Sequence, residues 1–118
     1  MKLYAVVSLL VLLAIHNAES GSWQGDIQKT RLVKLYGFIV KESQMIQSNA
    51  VITNTPNAWN CAYAAYPQLT NLLPAYSQEI DKCLKSTTNE NDGNRCCDPV
   101  DYNTIIKAVA ITNNAMKC

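Results

Sequence analysis

The sequence predicts an all-α protein: a small antiparallel helical bundle of three to four helices stapled by disulfides. Three observations carry this expectation. Apolar residues recur at spacings of three and four along three stretches of the chain. No pair of alternating apolar runs joined by a hairpin turn occurs. Five cysteines follow an N-terminal segment of the export type, so they are expected to oxidise.

The export segment comes first. Lys2 supplies a positive start. Leu3 to Ile15 is an apolar run interrupted only by Ser8, and Ala18-Glu19-Ser20 offers small residues where a signal peptidase reads. The run is shorter than the about 20 residues a spanning helix needs. Residues 1–20 therefore read as a signal peptide and residues 21–118 as a single helical domain. The expected location is secreted and extracellular, with no membrane span.

The first helix is expected over residues 27–52. Its apolar positions are Leu32, Leu35, Tyr36, Ile39, Ile46 and Ala50. Gly37 weakens it without ending it. Asn54-Thr55-Pro56-Asn57 is a stop followed by a restart. The second segment has the clearest pattern. Trp59, Ala62, Tyr66, Leu69, Leu73, Tyr76, Ile80 and Cys83 step by 3, 4, 3, 4, 3, 4 and 3. Pro67 interrupts this seam, so it is expected as two pieces, residues 57–66 and 67–88, with Pro74 bending the second. Ser86 to Arg95 holds no apolar residue and reads as a solvated loop. The last helix is expected to start at Asp98 as N-cap with Pro99 in its first turn. Tyr102, Ile105, Ile106, Val109, Thr112 and Met116 mark its apolar face to about Lys117.

The cysteine spacing suggests how the helices are tied. Cys61 and Cys83 are 22 residues apart, and so are Cys96 and Cys118. An antiparallel hairpin of the second and third segments places Cys83 opposite Cys96 and Cys61 opposite Cys118. Cys97 could replace Cys96 in the inner bridge, one residue away. A bridge between the adjacent Cys96 and Cys97 is geometrically poor. The odd cysteine, Cys97 in this pairing, is either free or joins two chains. A thiol at an exposed helix start in an oxidising compartment favours a disulfide-linked homodimer. No C-x-x-C occurs, so redox and metal readings yield to structural bridges.

Composition narrows the function classes. The chain carries 10 basic and 9 acidic residues, a net charge of +1. That balance favours neither nucleic acid nor an anionic membrane. The single histidine is His16, inside the export segment. Without it, the mature chain lacks the commonest general base and metal ligand. No cofactor and no metal is expected, and the protein reads as a non-enzyme. Glu79 and Asp81 would face different sides of a helix, and capping accounts for Asp98 and Asp101. Lys29, Lys34 and Lys41 share a polar flank, usually just a solvated face. Trp59, Tyr63, Tyr66 and Tyr76 lie along or beside the central seam. Such a stripe is most often core, and otherwise lines an apolar pocket.

One stretch resembles a known family. Asn60-Cys61-Ala62-Tyr63-Ala64-Ala65-Tyr66-Pro67-Gln68-Leu69, then Leu72-Leu73, Tyr76, Glu79-Ile80 and Lys82-Cys83-Leu84, is similar to a segment of the TsetseEP-domain family. Those are small secreted helical proteins of flies. The glutamate-proline repeats of the founding member are absent. The resemblance covers residues 60–84 and implies an insect protein secreted in gut, saliva or reproductive tract. It brings no catalytic or binding residue with it. The expected function is binding or effector action by recognition of another extracellular protein. The alternative is an extracellular carrier of small apolar ligands.

Overall fold

The computed structural model describes residues 22–118, which form helices α1 (Trp23–Thr53), α2 (Pro56–Thr70), α3 (Leu72–Lys85) and α4 (Glu90–Lys117). The signal peptide expected at residues 1–20 lies outside the described residues. No strand occurs among the described residues, and the all-α expectation holds. The helices run up, down and up. α2 and α3 together form the descending arm, and α4 returns alongside α1. The molecule measures 52 × 24 × 15 Å. Its long axis matches the about 46 Å that a helix of α1's length spans at 1.5 Å per residue.

Local chemistry sets the helix ends. The Ser22 hydroxyl accepts from the Gly25 N–H at 3.0 Å and caps α1. Asn54 closes α1 in the left-handed region, φ 48°, its N–H donating to the Ala50 carbonyl at 2.8 Å. Thr55 caps α2 by accepting from Ala58 N–H at 3.1 Å, with Pro56 in the first turn.

Both prolines of the descending arm behave differently from expectation. Pro67 lies inside α2, and the break comes at Asn71. A proline frees the carbonyl four residues earlier. That residue is Tyr63, on the exposed side of the helix, where water can serve the carbonyl. Pro74 is the third residue of α3, where a backbone donor would have no helical partner anyway.

The largest departure is in α4. It begins at Glu90, not near Asp98, and absorbs most of the expected loop. Asn89 is the cap: its side-chain oxygen accepts from the Asp92 N–H at 2.9 Å. Glu90 and Asp92 add favourable charge in the first turn. Pro99 is interior, again on an exposed face.

The buried faces of α1 and of the α2–α3 arm follow the sequence pattern closely. Leu32, Leu35, Ile39, Ile46 and Ala50 meet Ala62, Tyr66, Leu69, Leu73, Tyr76 and Ile80 in one core cluster. In α4 the expected apolar face is turned outward. The helix buries Gly93, Cys97, Thr104, Ala108, Thr112 and Ala115. Tyr102, Ile105, Ile106 and Val109 are exposed, and Thr112 is the one predicted face residue that is buried. Small side chains let α4 approach its neighbours closely. The two buried threonines cost little, because each hydroxyl donates to its own helix, Thr104 to Val100 O at 2.9 Å and Thr112 to Ala108 O at 3.1 Å.

The bridges are Cys61–Cys118 and Cys83–Cys96, with Cα separations of 6.3 and 5.8 Å. They pin α4 to the descending arm at both ends. Cys97 is free and fully buried. The expectation of an exposed Cys97 joining two chains is thereby corrected. With α4 starting at Glu90, position 97 falls inside the helix and on its core side.

Two glycines should respond oppositely to alanine. A Cβ at Gly37 meets nothing within 4 Å. Gly37→Ala should therefore raise stability by about 1 kcal/mol through helix propensity. A Cβ at Gly93 would stand 2.7 Å from Trp23 Cζ3 and 3.3 Å from Leu84 Cδ2. Gly93→Ala should lower stability by about 1 kcal/mol, because overpacking exceeds the propensity gain. Urea unfolding of both variants checks the pair.

Candidate functional site

Arg31 on α1 is the centre of a polar group that joins three helices among the described residues. Its Nη1 donates to Asp101 Oδ2. Its Nη2 reaches Asp98 Oδ1 and Asn94 Oδ1, both at 3.0 Å, and the Asn94 carbonyl at 3.3 Å. The Tyr76 hydroxyl on α3 donates to Asp101 Oδ1. Three helices thus meet at one guanidinium and one carboxylate. Asn94, Asp98 and Asp101 share a face because they lie four and three residues apart on a helix. That signal was present in the sequence, but it requires a helix that already includes residue 94.

The electrostatics are those of a clamp. Burial opposes the Arg31 charge, but the hydrogen bond to Asp98 and the charge of Asp101 outweigh it and raise the pKa. Burial is the largest influence on Tyr76 and lifts its phenol well above the ordinary range. The bond to Asp101 and that residue's charge add to the effect. The Cys97 thiol, next to this group, is also raised, first by burial and then, against Arg31, by Asp101 and Asp98. Both acids are therefore held protonated at neutral pH. Neither is an activated nucleophile or base.

The four aromatics of the predicted stripe do not converge. Trp59 and Tyr63 stack with centroids 5.9 Å apart, and Tyr66 meets Tyr63 edge-on at 6.2 Å. Tyr63 is exposed, whereas Tyr66 and Tyr76 are core residues. Tyr76 is on α3 and belongs to the Arg31 group. Among the described residues no cluster of three or more His, Cys, Asp or Glu could hold a metal ion. No described helix is long and apolar enough to cross a membrane.

Two surface features surround the clamp. A half-open cleft of about 210 Å³ lies between α1, α3 and α4, floored by Leu35, Phe38, Tyr76 and Ile105. Beside it runs the outward ridge of α4. Tyr102 is 66 %, Ile105 40 %, Ile106 48 % and Val109 38 % exposed. The sequence pattern marked these residues as apolar and grouped, but gave them to the core.

No protein-family model matches the chain, and no match was found among curated proteins or solved structures.

Arg31→Met should cost about 1–2 kcal/mol. Removing one partner of a buried pair costs more, but Asp98 and Asp101 retain access to water, their side chains 73 % and 32 % exposed. Chemical unfolding of the variant checks this. The fold should also weaken in alkali. Tyr76 and Cys97 have folded pKa values above their ordinary 10.0 and 9.0. Their contribution is therefore complete below about pH 9 and is lost as the unfolded chain sheds protons that the folded chain keeps. The urea midpoint should fall between about pH 9 and 11, and Tyr76→Phe should make the fall shallower.

Proposed function

We propose that the protein is a secreted, non-enzymatic binding or effector protein that recognises another extracellular protein through the α4 ridge. The observation that carries the reading is the placement of side chains on α4. Its small residues fill the core while Tyr102, Ile105, Ile106 and Val109 stand together in solvent. A contiguous exposed apolar patch on a small protein is a mark of an interaction surface, and a tyrosine flanked by aliphatics suits an interface centre. The protonated Tyr76 and Cys97 support a role other than catalysis. The bridges and the N-terminal segment of the export type support an extracellular setting. The resemblance of residues 60–84 to the TsetseEP-domain family supports an insect gut, salivary or reproductive secretion as the source.

A photo-crosslinking residue at position 106 of the full chain tests the reading in such a secretion. It should capture one partner protein, and the same residue at position 78, exposed on α3, should not. The double variant Ile106→Asp/Val109→Asp should weaken the purified partner's affinity at least about tenfold. Its stability should change by about 0.5 kcal/mol or less per site, since both side chains are outside the core. Equal capture at both positions, or unchanged affinity, would falsify the proposal. A concentration-dependent dimer abolished by the double variant would instead assign the ridge to a second copy.

A further inference from the structure

The geometry points to a binding site for a small carboxylic acid with an apolar body in the cleft between α1, α3 and α4, with Lys34 as the anchor for its carboxylate. This goes beyond recognition by the ridge and does not depend on it.

The cleft has the composition of a small-molecule site: an apolar floor and few polar groups. Leu35, Phe38, Tyr76 and Ile105 supply the floor, and Arg31, Lys34 and Asp101 the rim. The polar groups differ in what they have left to offer. Asp101 already accepts from Arg31 with one oxygen and from Tyr76 with the other. Arg31 is committed to Asp98, Asp101 and Asn94. The Tyr76 hydroxyl points its proton at Asp101. Lys34 is different. Among the described residues no carboxylate lies within ion-pair reach of its ammonium. It is exposed on α1, one turn from Phe38, at the mouth of the apolar floor. A bound group thus finds hydrophobic contact below and, at the lip, one cation with no carboxylate partner among the described residues.

That pattern selects the ligand class. A polar ligand would meet a floor whose one hydroxyl, that of Tyr76, already gives its proton to Asp101. A cation would meet Lys34. A neutral hydrocarbon would leave the ammonium unused. An amphipathic carboxylate satisfies both parts, because a charge-assisted bond to the anion is stronger than a neutral one. Size limits the body. The volume of about 210 Å³ is below the roughly 300 Å³ at which drug-sized pockets begin. A medium-chain fatty acid or a small aryl-alkanoic acid is the right scale.

Octanoate, below its micellar range, is the probe, and 1-octanol is the control that keeps the chain and removes the charge. Titration followed by NMR should shift the Tyr76 ring and Ile105 methyl signals with a dissociation constant on the order of 100 μM. Octanol should bind about five- to tenfold more weakly. Lys34→Met should bring octanoate down to the octanol level and leave octanol unchanged, a split that a fold defect would not produce. Phe38→Ser should weaken both ligands. The ridge variant Ile106→Asp/Val109→Asp should bind octanoate normally, so failure of one proposal is separable from failure of the other. Absence of saturable shifts up to about 5 mM, equal affinity for the two probes, or a Lys34→Met protein that still prefers octanoate, overturns the assignment.

Discussion

The close approach of α4 to its neighbours is the constraint from which most of the structure follows. Gly93, Cys97, Thr104, Ala108, Thr112 and Ala115 make its inner face, and none is large. A thin bundle results, 15 Å in its shortest dimension. At that separation the Trp23 ring can lie on Gly93, and Arg31 can span from α1 to three residues of α4. Both cysteine pairs also come within bridging distance. Larger residues on the inner face would move α4 outward and weaken all of these contacts together.

The Arg31 clamp adds register to that proximity. Hydrophobic contact between two smooth helices tolerates sliding, because its energy follows buried area. A guanidinium held by Asp98, Asp101 and Asn94 does not, since a shift of one turn would leave charges unpaired in a partly buried place. Tyr76 extends the same fixation to α3 through Asp101. The bridges fix the ends of α4 against the descending arm, and the clamp fixes its first half against α1. Covalent restraints thus tie α4 to the descending arm, and the polar group ties it to α1 as well as to α3.

The sequence was most readable where large apolar residues do the packing. The α1 face and the 3–4 seam from Trp59 to Cys83 were legible because burial there follows side-chain size. The matched spacing of the cysteines made the pairing legible, because two helices of equal rise place equal separations side by side. The start of α4 and its inner face were misread for two physical reasons. Asn89 starts the helix through a side-chain cap that competed with an equally plausible one at Asp98. The inner face then uses Gly, Ala, Cys and Thr, which a hydrophobic pattern discounts. The error propagated: with the start misplaced, Asp98 and Asp101 looked like caps, and Cys97 looked exposed. Pro67 and Pro99 misled less seriously. Their effect depends on which face the freed carbonyl occupies, and that is known only once packing is known.

Packing accounts for the small residues inside α4 but not for the large ones outside. Nothing on the inner face requires positions 102 and 106 to be Tyr and Ile, because both lie outside the core and are exposed. Lysine or glutamate there would serve the helix equally well and would keep water in contact with polar groups. Leaving an aliphatic side chain in water forgoes the roughly 1.5–3 kcal/mol that its burial would contribute. The fold recovers only part of this for Ile106 and Ile105, which stay 48 % and 40 % exposed, and Ile105 also borders the apolar cleft. Ile105 is therefore where the two surfaces join: one side faces the floor shared with Phe38 and Tyr76, and the other continues the ridge. Stability alone explains the inner face of α4, and contact with something outside the chain is the economical explanation of its outer one.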